Sequence, residues 1–189
     1  LATGYTIKAL ARNPAKQTIH HEGLTWLPGD VTEPAKVSEV IAESQAVLNV
    51  IGQVPGSPKD LQTVAIQNIL DGMKLHNVQR LITLTGAGVR DPNDQPKPVD
   101  HIFGFLLKLF SPQVIADSVQ CINLVRASDR DWVVVRVPRL IDGPLTNHYK
   151  VGYVGPDSGI QIARADVAHF MLRQLESDTH LRQMPVISY

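Results

Sequence analysis

The sequence contains a single cysteine, Cys121. That excludes an internal disulfide and any zinc site built on cysteines. A charge excess is missing as well: 18 Lys plus Arg stand against 18 Asp plus Glu. No overall field therefore draws the chain to nucleic acid or to an anionic membrane. Long apolar runs are absent. Stretches such as 132–135 and 46–51, the latter broken by Asn49, fall far short of the roughly 20 residues that cross a bilayer as a helix. There is no internal repeat, low-complexity tract or linker, so residues 1–189 read as one domain. No secretory signal is visible, and a cytoplasmic location is the expectation. Seven histidines are present, but His20 and His21 are adjacent and none stands at metal-ligand helical spacing. No metal site is expected.

What remains is a chain that alternates short β-rich runs with amphipathic stretches. Strands are expected at 5–10, 23–27, 46–51, 81–84, 132–137 and 185–188. Helices are expected at 32–44, 61–76, 101–110, 114–127 and 166–175, with Pro112 separating the third and fourth. In the second, Leu61, Val64, Ala65, Ile69 and Met73 make one apolar stripe. Thr32 is placed to cap the first helix and Pro34 to sit in its first turn. The run 46–51, apolar except for Asn49, suits a strand buried on both faces. Residues 89–99 hold three prolines and read as a loop. Residues 139–163 read as irregular, with a small hairpin around 153–162. The pattern predicts an α/β fold with a doubly wound parallel sheet.

Leu1-Ala2-Thr3-Gly4 reads as the tail of a helix. In a doubly wound sheet the first strand lies in the middle. The expectation is that an N-terminal strand, loop and most of a helix are missing, about 20–25 residues. Without them, the strands at 5–10 and 46–51 would face a gap and expose unpaired backbone groups at the core.

Arg12 lies just past the end of the first strand. That position borders the adenosine ribose of a dinucleotide in such sheets, where an acid suits NAD and an arginine the 2′-phosphate of NADP. It also fits an ordinary solvated arginine. In Gly29-Asp30-Val31, Asp30 can accept the adenine amino group with the Val31 amide beside the ring, or it can open an Asx-turn. Gly52, after the 46–51 strand, allows close backbone approach or marks a plain turn. Thr85 ends the next strand on the edge where open α/β sheets bind ligands. Its hydroxyl can meet a substrate or a nicotinamide amide, or bond its own backbone. Gly86 and Gly88 lead into the proline-containing loop, so they are no phosphate loop.

The strings Ala11-Arg12-Asn13-Pro14, Gly29-Asp30-Val31, Thr85-Gly86-Ala87 and 131–140, in this order, resemble the atypical short-chain dehydrogenases/reductases. Asp142-Gly143-Pro144-Leu145-Thr146 and 166–173 are similar to flavin reductase and biliverdin-IXβ reductase-like proteins, with NmrA-like proteins as cousins. The resemblance implies a Rossmann fold binding NADP(H) and reducing flavins or related flat acceptors. It implies that Arg12 meets the 2′-phosphate and Asp30-Val31 the adenine. Gly52 lines the cofactor channel, and Thr85 is the active-site hydroxyl. Pro138, Arg139 and Leu140 lie along the nicotinamide ribose and substrate pocket. Three features depart from the family: the Gly-rich loop is absent, 114–127 carries no Tyr-x-x-x-Lys pair, and Arg139 stands where a histidine is expected. Arginine cannot act as a general acid near neutral pH, although Arg139 can steer an anionic group or form a loop salt bridge. The expected function is an NADPH-dependent reductase with a small flavin-like acceptor. The alternatives are a non-catalytic NADP(H)-binding redox sensor and an inert paralogue. The apolar patch at Phe103, Phe105, Leu106, Leu107, Leu109 and Phe110 is expected to form a lid or pocket wall.

Overall fold

A strand buried on both faces needs apolar side chains at odd and even positions. β5 (Asp131–Val137) has them. Trp132 and Val134 enter one core, and Val133, Val135 and Val137 enter the other. The structure, a computed structural model, describes residues 4–97, 112–156 and 158–189. In it, β5 is the middle strand of a five-stranded sheet. β4 (Arg80–Gly86) pairs with it in parallel along its whole length, and β3 (Ala46–Asn49) pairs in parallel with β4. On the other side lies β9 (Val186–Ser188), with β7 (Lys150–Gly152) antiparallel to it at the edge. Helices α1 (Pro34–Ile41), α2 (Leu61–Leu75) and α3 (Pro112–Ala127) fill the first core with Val37, Ile66, Met73, Ile122 and Val125. Helix α4 (Arg164–Arg173) fills the second with Val167, Phe170 and Met171. Helices on both faces of a mainly parallel sheet make the doubly wound α/β fold that the alternation predicts.

β1 (Ile7–Ala11) and β2 (Leu24–Pro28) pair in parallel as a separate two-stranded sheet. The first and third strands do not pair with each other. The run 46–51 departs from its expected burial. Its strand ends at Asn49, and Leu48 and Val50 are 41% and 64% exposed. The small sheet is joined to the body through α1. Lys8 Nζ donates to the Ala42 carbonyl at 2.6 Å, and Leu10 and Val31 pack against the first core. Gly29 permits this packing, because a Cβ there would come within 2.8 Å of the Lys36 side chain.

Local chemistry moved several boundaries. Thr32 does not cap α1: its backbone N–H and hydroxyl both donate to Asp30 Oδ1, and Glu33 takes the cap position. Pro112 belongs to the first turn of α3 rather than standing before it, a position where its missing N–H costs nothing. The expected hairpin at 153–162 does not form. β7 pairs with β9, while β8 (Gln161–Ala163) pairs in parallel with β6 (Arg139–Ile141), so 139–163 is less irregular than its sequence suggests. The expected helix 101–110 and its apolar patch lie outside the described residues.

Candidate functional site

The C-terminal ends of β4 and β5 lie side by side, because these strands are parallel and paired from Arg80–Asp131 to Gly86–Val137, and β3 runs parallel to β4 and ends with Asn49 opposite Thr83. Asn49 is buried; its Nδ2 donates to Thr83 Oγ1 at 3.0 Å, and its Oδ1 accepts from the Ile51 amide. That amide side chain ties two strand ends together and starts the loop that carries Gly52. Gly52 itself is exposed, and a Cβ on it would meet nothing within 4 Å. No packing within the protein demands glycine there. Thr85 is buried opposite Arg136, and its Oγ1 has no hydrogen-bond partner among the described residues. A buried hydroxyl without a partner is uncommon, since leaving it unpaired costs about 1–3 kcal/mol.

Arg12 and Asp30 come together at the ends of β1 and β2. Arg12 Nε stands 4.0 Å from Asp30 Oδ2, and the Arg12 side chain is 80% exposed. The pair is loose, so the guanidinium remains open to another anion. Asp30 also makes the Asx-type turn. Hydrogen bonds from the Thr32 amide and hydroxyl, with a smaller contribution from Arg12, hold its carboxyl below the usual aspartate range against a partial desolvation. Val31 is half-buried against the first core, and its carbonyl accepts from Asn68 Nδ2 at 2.9 Å. Arg12, Asp30 and Val31 thus occupy one strand-end cluster on the small sheet. Thr85 lies near the end of β4, and Gly52 and Pro138 follow β3 and β5 of the large sheet. Arg139 opens β6, is exposed, and forms no ion pair among the described residues.

Three buried carboxylates organise the loops around these strand ends, and none was evident from spacing. Arg136, fully buried in β5, makes a two-pronged pair with Asp94 at 2.7 Å on both oxygens. Its Nε donates to the Met184 carbonyl, its Nη1 also donates to the Val89 carbonyl, and the Tyr153 ring lies 5.9 Å away. This ties the loop after Thr85 to the sheet. Burial pushes the Asp94 carboxyl up, but hydrogen bonds from Arg136 and from the Asp91 and Val154 amides outweigh it and hold it low. Asp117, on α3, accepts from the loop after β3 and from the start of α2. Asp166, on α4, accepts from the Thr146 and Asn147 amides, the Thr146 hydroxyl and Tyr189 Oη, which pins the segment after β6. A signal did exist for one of these. A lone arginine inside Trp132–Val137 cannot be buried without a partner, which made Arg136 a marker for an acid elsewhere.

A cavity of about 280 Å³ opens between the loop at Asn93 and Gln95 and the β7–β9 edge, where Lys150, Tyr153 and Ser188 line it. None of the candidate residues borders it. Among the described residues no three His, Cys, Asp or Glu side chains converge on one point. Nor is any described helix long and apolar enough to cross a membrane.

This geometry meets known proteins at two levels. Residues 1–178 match the NAD(P)H-binding family. The oxidoreductase ylbE from Lactococcus lactis superposes with a TM-score of 0.79 at 16% identity, covering 98% of this chain and 80% of that one. A short-chain dehydrogenase/reductase from Veillonella parvula, in complex with NADP, gives 0.75 at 16% identity, covering 97% and 82%. A Rossmann-fold NAD(P)-binding protein from Shigella flexneri gives 0.68 at 20% identity, covering 96% and 79%. At these identities the likeness establishes the fold.

Proposed function

The chain belongs to the NAD(P)H-binding family, and on that premise we propose that it is an NADPH-dependent reductase acting on a flavin or a similarly flat acceptor. The observation that carries the reading is the buried Thr85 hydroxyl at the end of β4, which has no partner among the described residues. It sits on the edge of the sheet where ligands of this fold bind, and it has a hydrogen bond to give. The residues present fit a dinucleotide. Arg12 is the 2′-phosphate partner, with its guanidinium exposed at a strand end. Asp30 and Val31 border the adenine. Gly52 keeps the backbone open beside the channel, and Pro138 lies along the nicotinamide ribose. Bound NADPH supplies hydride.

The protein's own contribution is orientation and a dry surface. Thr85 donates its hydroxyl proton in a hydrogen bond that orients the carboxamide or the acceptor. Arg139, exposed beyond β5, steers an anionic group of the acceptor. α3 carries neither tyrosine nor lysine, so it offers no acid of the Tyr-x-x-x-Lys kind for carbonyl reduction. An oxidised flavin ring, which would take hydride at N5 and any proton from water, fits that best. The cytoplasm, which supplies NADPH, is the compartment this activity calls for.

Steady-state loss of NADPH absorbance with FMN, riboflavin or a quinone tests the proposal. Turnover with at least one acceptor is expected. Tight NADPH binding without turnover on any of them would sink the reductase reading and leave a redox sensor; binding of neither nicotinamide nucleotide would remove both. In Arg12→Ala the preference for NADPH over NADH should fall by about 10- to 100-fold, the worth of one charge-assisted hydrogen bond. An unchanged ratio takes Arg12 out of the site.

A further inference from the structure

Asp117 lies in the middle of α3, nearly fully buried, and its carboxylate accepts hydrogen bonds from two other parts of the chain. The first part is the start of α2. The Gln62 amide donates to Oδ2 and the Thr63 amide to Oδ1, both at 2.9 Å, and the Thr63 hydroxyl donates to Oδ1 at 2.6 Å. α2 has an aspartate of its own at the cap position, Asp60, yet that side chain makes no capping bond. The cap comes from across the packed helix pair instead.

The second part is the loop after β3. Gln53 Nε2 donates to Asp117 Oδ2 at 2.7 Å and to the Lys59 carbonyl at 2.9 Å, with the Pro58 carbonyl at 3.4 Å. All three neighbours are acceptors, so the amide nitrogen is the end that must face them. One side chain therefore fixes both ends of the loop to α3. Within it, the Val54 amide donates to Ser57 Oγ and the Ser57 amide to the Val54 carbonyl, which closes the turn.

The place of this loop gives the clamp its meaning. β3 is an edge strand of the large sheet, and the loop leaves its C-terminal end. The crevice outside the C-terminal strand ends is where open α/β sheets hold ligands. Gly52, the residue before Gln53, is exposed there with open space around its Cα.

We infer that Asp117 is a positioning residue for the dinucleotide. From α3, through Gln53, it holds the 51–60 loop in the shape that borders the strand ends, and so governs how tightly NADPH is bound. This rests on the cofactor reading above. Asp117 touches neither cofactor nor acceptor. The position of the 2′-phosphate partner is set on the other sheet, so Asp117 acts on affinity and not on the choice between NADPH and NADH.

The test uses the full chain, with NADPH and NADH titrated against protein fluorescence and thermal midpoints measured in parallel. Gln53→Ala removes the loop half of the clamp and leaves the α2 cap intact. It should weaken both nucleotides about tenfold, the equivalent of one well-placed hydrogen bond, with the NADPH:NADH ratio and the midpoint nearly unchanged. Asp117→Asn should weaken both nucleotides at least as much and also lower the midpoint. The double variant should bind no more weakly than Asp117→Asn alone, because both changes break one linkage. If wild type binds and Gln53→Ala binds equally well, Asp117 is only a helix cap and the inference is overturned. Gln53→Ala decides this even if Asp117→Asn fails to fold. If wild type binds neither nucleotide, the cofactor reading falls and takes this inference with it.

Discussion

Asp94→Ala removes the acid that makes the burial of Arg136 tolerable. Arg136 is fully buried and its guanidinium makes four hydrogen bonds, two of them to Asp94. In the variant the cation keeps only the Val89 and Met184 carbonyls, and the Asp91 and Val154 amides lose their acceptor. Removing one partner of a buried pair costs about 3–5 kcal/mol, because the other charge stays behind in a poor solvent. For a chain of this size that corresponds to a thermal midpoint lower by roughly 6–20 °C. Thermal and urea unfolding followed by far-UV circular dichroism measure it. The paired replacement Asp94→Leu with Arg136→Met should recover most of the loss, since an apolar pair of similar volume matches a buried ion pair in stability. The loop held by Asp94 leads out of the Thr85 strand end, so turnover in the assay of the proposed reductase activity should fall in the single variant as well. A loss below about 1 kcal/mol for Asp94→Ala, the worth of an exposed pair, would refute this account of the buried pair.

Two other outcomes follow from groups that are short of a partner or rich in them. Thr85→Val deletes a hydroxyl that has no partner among the described residues, so stability should stay within about 1 kcal/mol of wild type or rise, while turnover drops at least about tenfold. Intact turnover would mean that the hydroxyl serves neither cofactor nor acceptor. Burial pushes the Asp166 carboxyl up, but the Tyr189 hydroxyl and the Asn147 and Thr146 donors outweigh it, so the folded chain holds it below the usual range. A depressed folded value contributes stability above the unfolded value, about 3.9, and that contribution disappears as pH falls through the folded value. Unfolding free energy should therefore decline on acidification below about pH 4, and Asp166→Asn should flatten the decline. An acid limb in the variant as steep as in wild type would show that other carboxylates are responsible.

The elements that could be read in the sequence are those whose periodicity extends over several turns or pairs. The stripe of Leu61, Ala65, Ile69 and Met73 located α2 to within a residue at its end. The apolar run before Pro138 located β5. Arg12 and Asp30 could be placed together because parallel neighbours align their ends, and Ala11 does pair with Pro28. β6 and β8 escaped notice because three residues carry no detectable period, and each finds its partner about twenty positions away. The hairpin expectation failed for a related reason: β7 pairs with β9, far along the chain. Local turn chemistry cannot report such a partner. The Asp117 clamp is of the same kind. Its donors come from residues 53, 62 and 63, and only the packing of α2 on α3 brings them to one carboxylate.

Three hydrogen-bond ladders make up the strands that carry the candidate residues: β1 with β2, the five-stranded sheet, and β6 with β8, which begins at Arg139. The first of them ends near Arg12 and Asp30, and Leu10 and Val31 beside them pack against the main core. Substitutions at its rim therefore leave the packing of β4, β5 and the three helices of the first core almost untouched. Whatever that rim recognises can be altered by mutation at little cost to folding. Residues near Asp94 and Asp117 have no such freedom, because each is tied to several elements at once. Selection on this fold can drift at one end and is constrained at the other. Sequence variation among close relatives should be correspondingly uneven along the strand ends.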